Sequence, residues 1–161
     1  MGTAMANTSS FKAPETGHLL ADLAVFAAHR ELRPVYRLTE TMRLQRRAWD
    51  FVPRAGFENL AQAVILRLLT PRGELAALGH PEYGSRVHEL IGRENNTAQR
   101  NLLKLFVLEA LKLEPRVDKV VELTVLPSPG ARSTVDVLLR VKPVGATTLV
   151  TIGPFAIELA V

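Results

Sequence analysis

The stretch Leu102-Leu103-Lys104-Leu105-Phe106-Val107-Leu108-Glu109-Ala110-Leu111-Lys112-Leu113-Glu114-Pro115-Arg116-Val117, continuing to Leu126, decides the fold. From Leu102 to Leu113 only Lys104, Glu109 and Lys112 are polar, and Arg100, Lys104 and Lys112 share one narrow stripe at helical spacing. A helix apolar on nearly every side is expected to be surrounded by protein on most of them. Pro115 disfavours helical geometry at Glu114, so the helix is expected to stop there. An alternating strand follows at once, with Val117, Val121, Leu123 and Val125 on one face and Lys119 as the exception. A carboxylate and a guanidinium thus flank a rigid proline between a buried helix and a sheet, and no capping or turn rule requires that pair.

Downstream, Ser133–Lys142 alternates cleanly, Val135, Val137, Leu139 and Val141 inward and Thr134, Asp136, Arg140 and Lys142 outward. Pro127 to Gly130 reads as the hairpin loop before it and Pro143 to Thr147 as the turn after it. In the last stretch Val150 and Ile152 are in phase, but Phe155, Ile157, Leu159 and Val161 are shifted by one. The slip falls at Gly153-Pro154, which predicts a β-bulge on an edge strand.

Upstream, Gly56 opens a helix over about Glu58 to Leu69, with apolar stripes Leu60, Val64, Leu68 and Ala61, Ile65, Leu69 interrupted mainly by Gln62 and Arg67. Thr70-Pro71-Arg72-Gly73 stops it, and Gly79 to Gly84 is a loop dense in turn formers. Ser85 is placed to cap a short helix carrying Val87, Leu90 and Ile91 on one face, with Gly92 at its end, and Asn95 or Asn96 to cap the long helix. Met1 to Glu15 is expected to be a mobile tail. Thr16 is placed to cap a helix from Gly17 to about Leu32, striped by Leu19, Leu20, Leu23, Phe26 and Ala27 and ended by Pro34. Tyr36 to Pro53 fits neither period and reads as an irregular arm, with Trp49 and Phe51 as its anchors on the domain. The expected fold class is α+β, helices first and a small antiparallel sheet of about three strands last. The division is a flexible tail over 1–16, a helix and arginine-rich arm over 17–55, and an α+β domain over 56–161.

The 161 residues suit a sizeable core, and 47% hydrophobic with 22% charged residues are globular values. The absence of cysteine excludes a disulfide scaffold, a thiolate metal site and a cysteine nucleophile. No signal peptide is evident at Met1–Ser10, and no apolar run approaches the roughly 20 residues of a membrane helix. The net charge of +4 is uneven: Arg30 to Arg54 holds seven arginines against Glu31, Glu40 and Asp50, and 20 − 7 = 13 basic residues balance 16 − 3 = 13 acidic ones elsewhere. Arg43, Arg46 and Arg47 within that segment are candidate partner contacts. No aromatic platform or known motif accompanies them, so nucleic acid is not the expected partner.

No GxGxxG, P-loop, HExxH or GxSxG pattern is present. His18, His29, His80 and His88 lack ligand spacing, so neither a metal nor a cofactor is expected. Glu74, Glu82 and Glu114 are the carboxylates that can be set against a glycosidase pair, each with a plainer role in loop polarity or an ion pair.

Glu58-Asn59-Leu60-Ala61-Gln62-Ala63, Leu69-Thr70-Pro71-Arg72-Gly73-Glu74-Leu75, His80-Pro81-Glu82-Tyr83-Gly84-Ser85-Arg86 and Glu114-Pro115-Arg116-Val117 together resemble, in order and spacing, the baseplate wedge family of contractile injection machines. That family includes the small wedge protein of contractile phage tails, TssE of type VI secretion, and counterparts in pyocins and extracellular injection particles. The resemblance covers about two thirds of the chain, and its Thr70–Leu75 and His80–Arg86 motifs look closest to the extracellular particles. It implies a structural, non-enzymatic protein, although some members carry a lysozyme label. It also implies six copies around a tube, and a Glu-Pro-Arg motif (here Glu114, Pro115 and Arg116) contacting the core bundle of the larger wedge proteins. The C-terminal sheet, with Phe155 and Ile157, would seed the first ring of sheath protein, with hub or tube proteins as further neighbours. Assembly in the cytoplasm into a releasable phage-tail-like particle, without membrane insertion, is the matching localisation. Whether Glu114 and Arg116 bind partners or hold the fold is left open at this level. A cell-wall glycosidase and a basic nucleic-acid-binding module are the rival readings.

Overall fold

In the computed structural model, which describes residues 19–30, 33–43 and 48–159, the core is built by two helices and one three-stranded sheet. Helix α1 spans Gly56–Leu69 and α2 spans Thr97–Lys112, the latter capped by the Asn96 side chain accepting from the Gln99 N–H at 3.0 Å. The C-terminal sheet comprises β7 (Val117–Pro127), β8 (Thr134–Pro143) and β9 (Val150–Glu158), antiparallel in the order β7-β8-β9. Leu60, Val64 and Leu68 of α1 meet Leu103, Val107 and Leu111 of α2 and the inner face of the sheet. The fold is α+β, as the helix and strand periodicities require.

Central strand β8 buries every second residue, Val135, Val137, Leu139 and Val141, each at 0% exposure, which is the alternation read from the sequence. The phase slip in β9 is also real. Val137 pairs with Phe155 but Leu139 pairs with Ile152, so β9 carries one extra residue at the cis Gly153-Pro154 step. Gly153 sits at φ +104, and a Cβ there would lie 2.5 Å from the Val137 carbonyl oxygen, so only glycine fits. On the solvent face, Arg140 reaches Glu122 at 3.1 Å and Lys142 reaches Asp118 at 3.3 Å.

Strand β7 departs from its expected face. Register shifts fall between Val117 and Lys119 and between Val120 and Glu122. Each bulge adds a residue and reverses the alternation, so Val117, Val120, Leu123 and Val125 turn inward and Val121 is 48% exposed. Helix α2 is likewise less enclosed than its composition predicts. Leu103, Phe106, Val107, Ala110 and Leu111 are buried, but Leu105 is 58% and Leu113 40% exposed, leaving one apolar flank uncovered.

The expected N-terminal helix is absent from the described residues, and strands stand in its place. β1 (Ala21–Leu23) pairs with β6 (Pro53–Ala55), β2 (Val25–Arg30) with β3 (Arg33–Leu38), and β4 (Glu40–Arg43) with β5 (Ala48–Phe51), all antiparallel. The segment read as irregular is therefore mostly strand. Three two-stranded ladders meet at one branch point. There the Ala24 N–H donates to Val52 O at 2.7 Å, Val52 N–H to Thr39 O at 2.9 Å, and Thr39 N–H to Ala24 O at 2.8 Å. No helix forms from the apolar stripe because its members do not face one way: Leu19 enters the core at 0% exposure, while Leu20 is 64% and Leu23 39% exposed. Tertiary hydrogen bonds decide instead. From α1, Asn59 Nδ2 donates to Leu19 O at 3.0 Å, Gln62 Nε2 donates to Leu23 O at 2.8 Å, and Gln62 Oε1 accepts from Val25 N–H at 2.8 Å. The tail at 1–16 and the proposed Thr16 cap lie outside the described residues.

Asn59 and Gln62 are buried, at 3% and 5% exposure, and tie the branched arm to the body. Gln62→Ala removes two of these bonds and leaves backbone groups unpaired, at an expected cost of about 1–3 kcal/mol. Limited proteolysis reads it: cleavage within residues 24–52 should accelerate before the body opens, whereas an unchanged cleavage rate would mean the arm is held otherwise.

Candidate functional site

The Glu-Pro-Arg step and the α1 helix converge on one carboxylate. Pro115 ends the helical path, and the last turn of α2 leaves Glu114 inside the protein at 3% exposure. Arg67, two residues before the end of the helix α1 and itself 7% exposed, places Nη2 3.2 Å and Nε 3.3 Å from Glu114 Oε2. Arg116 closes the other side, with Nε 2.6 Å from Glu114 Oε1 and its backbone N–H donating to the same oxygen at 3.4 Å. Tyr83 stacks beneath Arg67, with the guanidinium carbon 4.4 Å from the ring centroid. Glu114 therefore has a definite internal partner set, and Arg67, in sequence only a polar interruption of an apolar helix, is a site residue. Its signal was present, a charged residue in a helix with two apolar stripes, but its partner lies 47 positions away.

Burial alone would raise the Glu114 carboxyl, yet the Arg116 hydrogen bond and the charges of Arg116 and Arg67 outweigh it and hold the group below its ordinary value of 4.5. Burial pushes the Tyr83 hydroxyl up, against the opposing charge of Arg67. Because the folded-state pKa of Glu114 is depressed, its contribution to stability is present above the unfolded value and lost as pH falls through the folded one. Acid unfolding below about pH 4.5 should thus be shallower in Glu114→Gln than in the wild type, which a pH series of urea midpoints measures. Parallel curves for the two proteins would contradict the clamp.

Beside this clamp lies an open cleft of about 610 Å³. Its walls include Arg116, Pro115, Tyr83 and Asp22, and its rim carries exposed Leu20 and Val144. Leu20 is 64% exposed at φ +62, the left-handed region that L side chains rarely occupy, so the branch geometry holds an apolar side chain outward at some conformational cost. Arg116 uses Nε and its backbone N–H on Glu114, and no hydrogen bond joins its two terminal nitrogens to a described residue. Arg116 is among the residues lining the cleft, and its terminal nitrogens form a planar donor pair of the kind suited to a carboxylate or to carbonyl oxygens.

The two loop motifs stitch to one another rather than forming a second site. Ser85 N–H donates to Thr70 O at 2.8 Å, Arg72 N–H to Ser85 O at 2.8 Å, and the Ser85 hydroxyl to Leu68 O at 2.6 Å while accepting from Val87 N–H. Ser85 thereby leads into the 3₁₀ turn Val87–Leu90 that replaces the expected short helix. Arg72 bridges Glu82 and Glu109, and Arg86 pairs with Glu89 and lies over the Phe106 ring at 4.4 Å.

The other expected contacts divide. Arg43 ends β4, while Arg46 and Arg47 lie outside the described residues. Trp49 and Phe51 do not anchor the arm: they are 67% and 40% exposed. Ile157 is a core residue at 4% exposure and Phe155 packs against the core, so a partner at β9 would meet its backbone edge rather than these side chains. Glu82 is tied to Arg72, and Glu114 is held ionised between two guanidiniums. Among the described residues no group of three or more His, Asp or Glu is placed to hold a metal ion, and no helix is long and apolar enough to cross a membrane.

No protein-family model and no curated protein matches the chain. Among solved structures it is similar to a protein from Geobacter sulfurreducens named as a tail lysozyme, with a TM-score of 0.55 and 25% identity over 63% of this chain and 89% of that one.

Proposed function

We propose that this protein is a structural component of a phage-tail-related particle, and within it a baseplate wedge adaptor joining the core bundle of the larger wedge proteins to the contractile sheath. The observation that carries this reading is the position of Arg116. Its Nε holds Glu114, and the residue lines a cleft that exposed Leu20 and Val144 also line. A buried carboxylate pre-orients the arginine, so little side-chain freedom is lost when a partner binds. The likeness to a protein named for a phage tail and the motif order from Glu58 to Val117 support the same reading. The uncovered α2 flank at Leu105 and the edge strands β7 and β9 are surfaces that assembly would cover.

The lysozyme name of that structural neighbour raises a catalytic alternative. A retaining or inverting glycosidase needs one carboxyl with a raised pKa to act as acid. Glu114 is shifted the other way, and Glu82 is committed to Arg72. We read the protein as non-catalytic, and the family resemblance implies assembly in the cytoplasm in six copies per baseplate beside sheath and hub or tube proteins. Electron microscopy of particles from cells lacking this chain tests the assignment. Absence of extended sheaths is expected, and normal sheathed particles would overturn it. Purified peptidoglycan should remain uncleared by the wild type.

A further inference from the structure

The β4–β5 hairpin stands apart from the Glu114 cleft and has no role in the clamp. Met42 and Trp49 are direct cross-strand partners, and Phe51 is two residues along from Trp49 on the same strand face. Their exposures are 49%, 67% and 40%. Three large apolar side chains are thus displayed together on a ribbon of only two strands. Such a ribbon is marginal in water without a surface to pack against. Its root is nevertheless fixed, because the hydrogen-bonded ring of Ala24, Thr39 and Val52 is tied to α1 through Gln62.

The sequence that contains the ribbon says what covers it. The segment from Arg30 to Arg54 carries seven arginines, no lysine and three acidic residues, and so holds a charge equal to the whole net charge of +4. All five lysines lie outside it. Arginine, tryptophan, methionine and phenylalanine are the residues enriched in protein–protein interfaces, and lysine is depleted there. A single-stranded nucleic-acid platform instead needs aromatic rings in series along a basic groove, and here one ring of the cross-strand pair is replaced by a thioether.

We propose that the β4–β5 hairpin is a protein-docking limb whose Met42, Trp49 and Phe51 face seats on an acidic protein surface with an apolar centre. This inference rests on the chain working inside a multi-protein particle, and it adds a contact separate from the Arg116 cleft. Limb and cleft then grip their partners through different chemistry, apolar and cationic at the limb, bidentate and pre-oriented at the cleft.

Site-specific photo-crosslinking in assembled particles tests it, with the full chain carrying a benzoyl-phenylalanine at Trp49 or, separately, at Val144 on the cleft rim. The expected result is a protein crosslink from position 49 that maps to a segment of net negative charge. The Met42→Ser, Trp49→Ser double variant should weaken incorporation at least tenfold with an unchanged thermal midpoint, and Arg43→Glu at the end of β4 should weaken it most at low salt. A crosslink from position 49 to nucleic acid or to a basic segment of another copy would overturn the inference. Silence at 49 with labelling from 144 would overturn it too while the wedge reading stands. Labelling from 49 with silence at 144 would support the limb and remove the cleft assignment. Silence at both positions would remove both.

Discussion

Arg67→Ala is expected to cost roughly 3–5 kcal/mol of folding stability, the loss typical when one partner of a buried ion pair is removed and the other charge stays buried. Glu114 is 3% exposed and would keep a single guanidinium, that of Arg116, while the Tyr83 ring would lose the cation above it. Against a total of about 5–15 kcal/mol for a domain of this size, that loss brings the protein close to unfolding at physiological temperature. Urea midpoints measure it. The double variant Arg67→Met, Glu114→Gln should lose clearly less than the sum of its singles, because the stranded charge is gone. A loss under about 1 kcal/mol for Arg67→Ala would place the pair among weak surface bridges and remove the clamp.

Gly84→Ala should be nearly as damaging. At φ +105 an added Cβ would lie 2.6 Å from Thr70 O and 2.7 Å from Pro71 O, both backbone atoms at the seam that joins the two loop motifs. Backbone strain and displacement of that seam together should cost roughly 2–4 kcal/mol. Gly79 is the internal control. Its φ is +85 but nothing lies within 4 Å, so Gly79→Ala should cost only about 1–2 kcal/mol of left-handed strain. Equal thermal midpoints for the two variants would mean the seam is not close-packed.

Reading the sequence succeeded where one local rule governed a whole element. Strand β8 is flanked on both sides, so its alternation from Val135 to Val141 is undisturbed, and the Gly153-Pro154 slip showed because the phase is intact on either side of it. Pro115 marks the end of its helix to within two residues, α2 closing at Lys112. The failures share a different cause. In β7 two bulges reverse the phase within four residues, and Val120 and Val121 are chemically identical, so nothing local says which turns inward. The segment after Leu19 carries a plausible helical stripe, but Asn59 and Gln62, some 40 residues away, hold its backbone extended. Arg67 and Glu114 are likewise joined only by the fold. Helix α2 reads as enclosed because its composition is apolar on nearly every side, yet Leu105 and Leu113 stay exposed. Half of the candidate site was therefore visible as a motif, and the half that explains the motif was not.

In the proposed function Glu114 holds Arg116 ready for a partner. Arg116→Ala removes the 2.6 Å bond to Glu114 and leaves that buried carboxylate with Arg67 alone, so its cost should be comparable to that of Arg67→Ala, roughly 3–5 kcal/mol, and a folded variant is expected only well below physiological temperature. Co-purification with the helical wedge proteins, measured at a temperature where circular dichroism shows wild type and variant equally folded, isolates the binding role. The expected result is a folded Arg116→Ala protein that no longer co-purifies and an Arg116→Lys protein that is only partly rescued, since lysine lacks the planar fork. A folded Arg116→Ala protein that joins wedges like the wild type would contradict it.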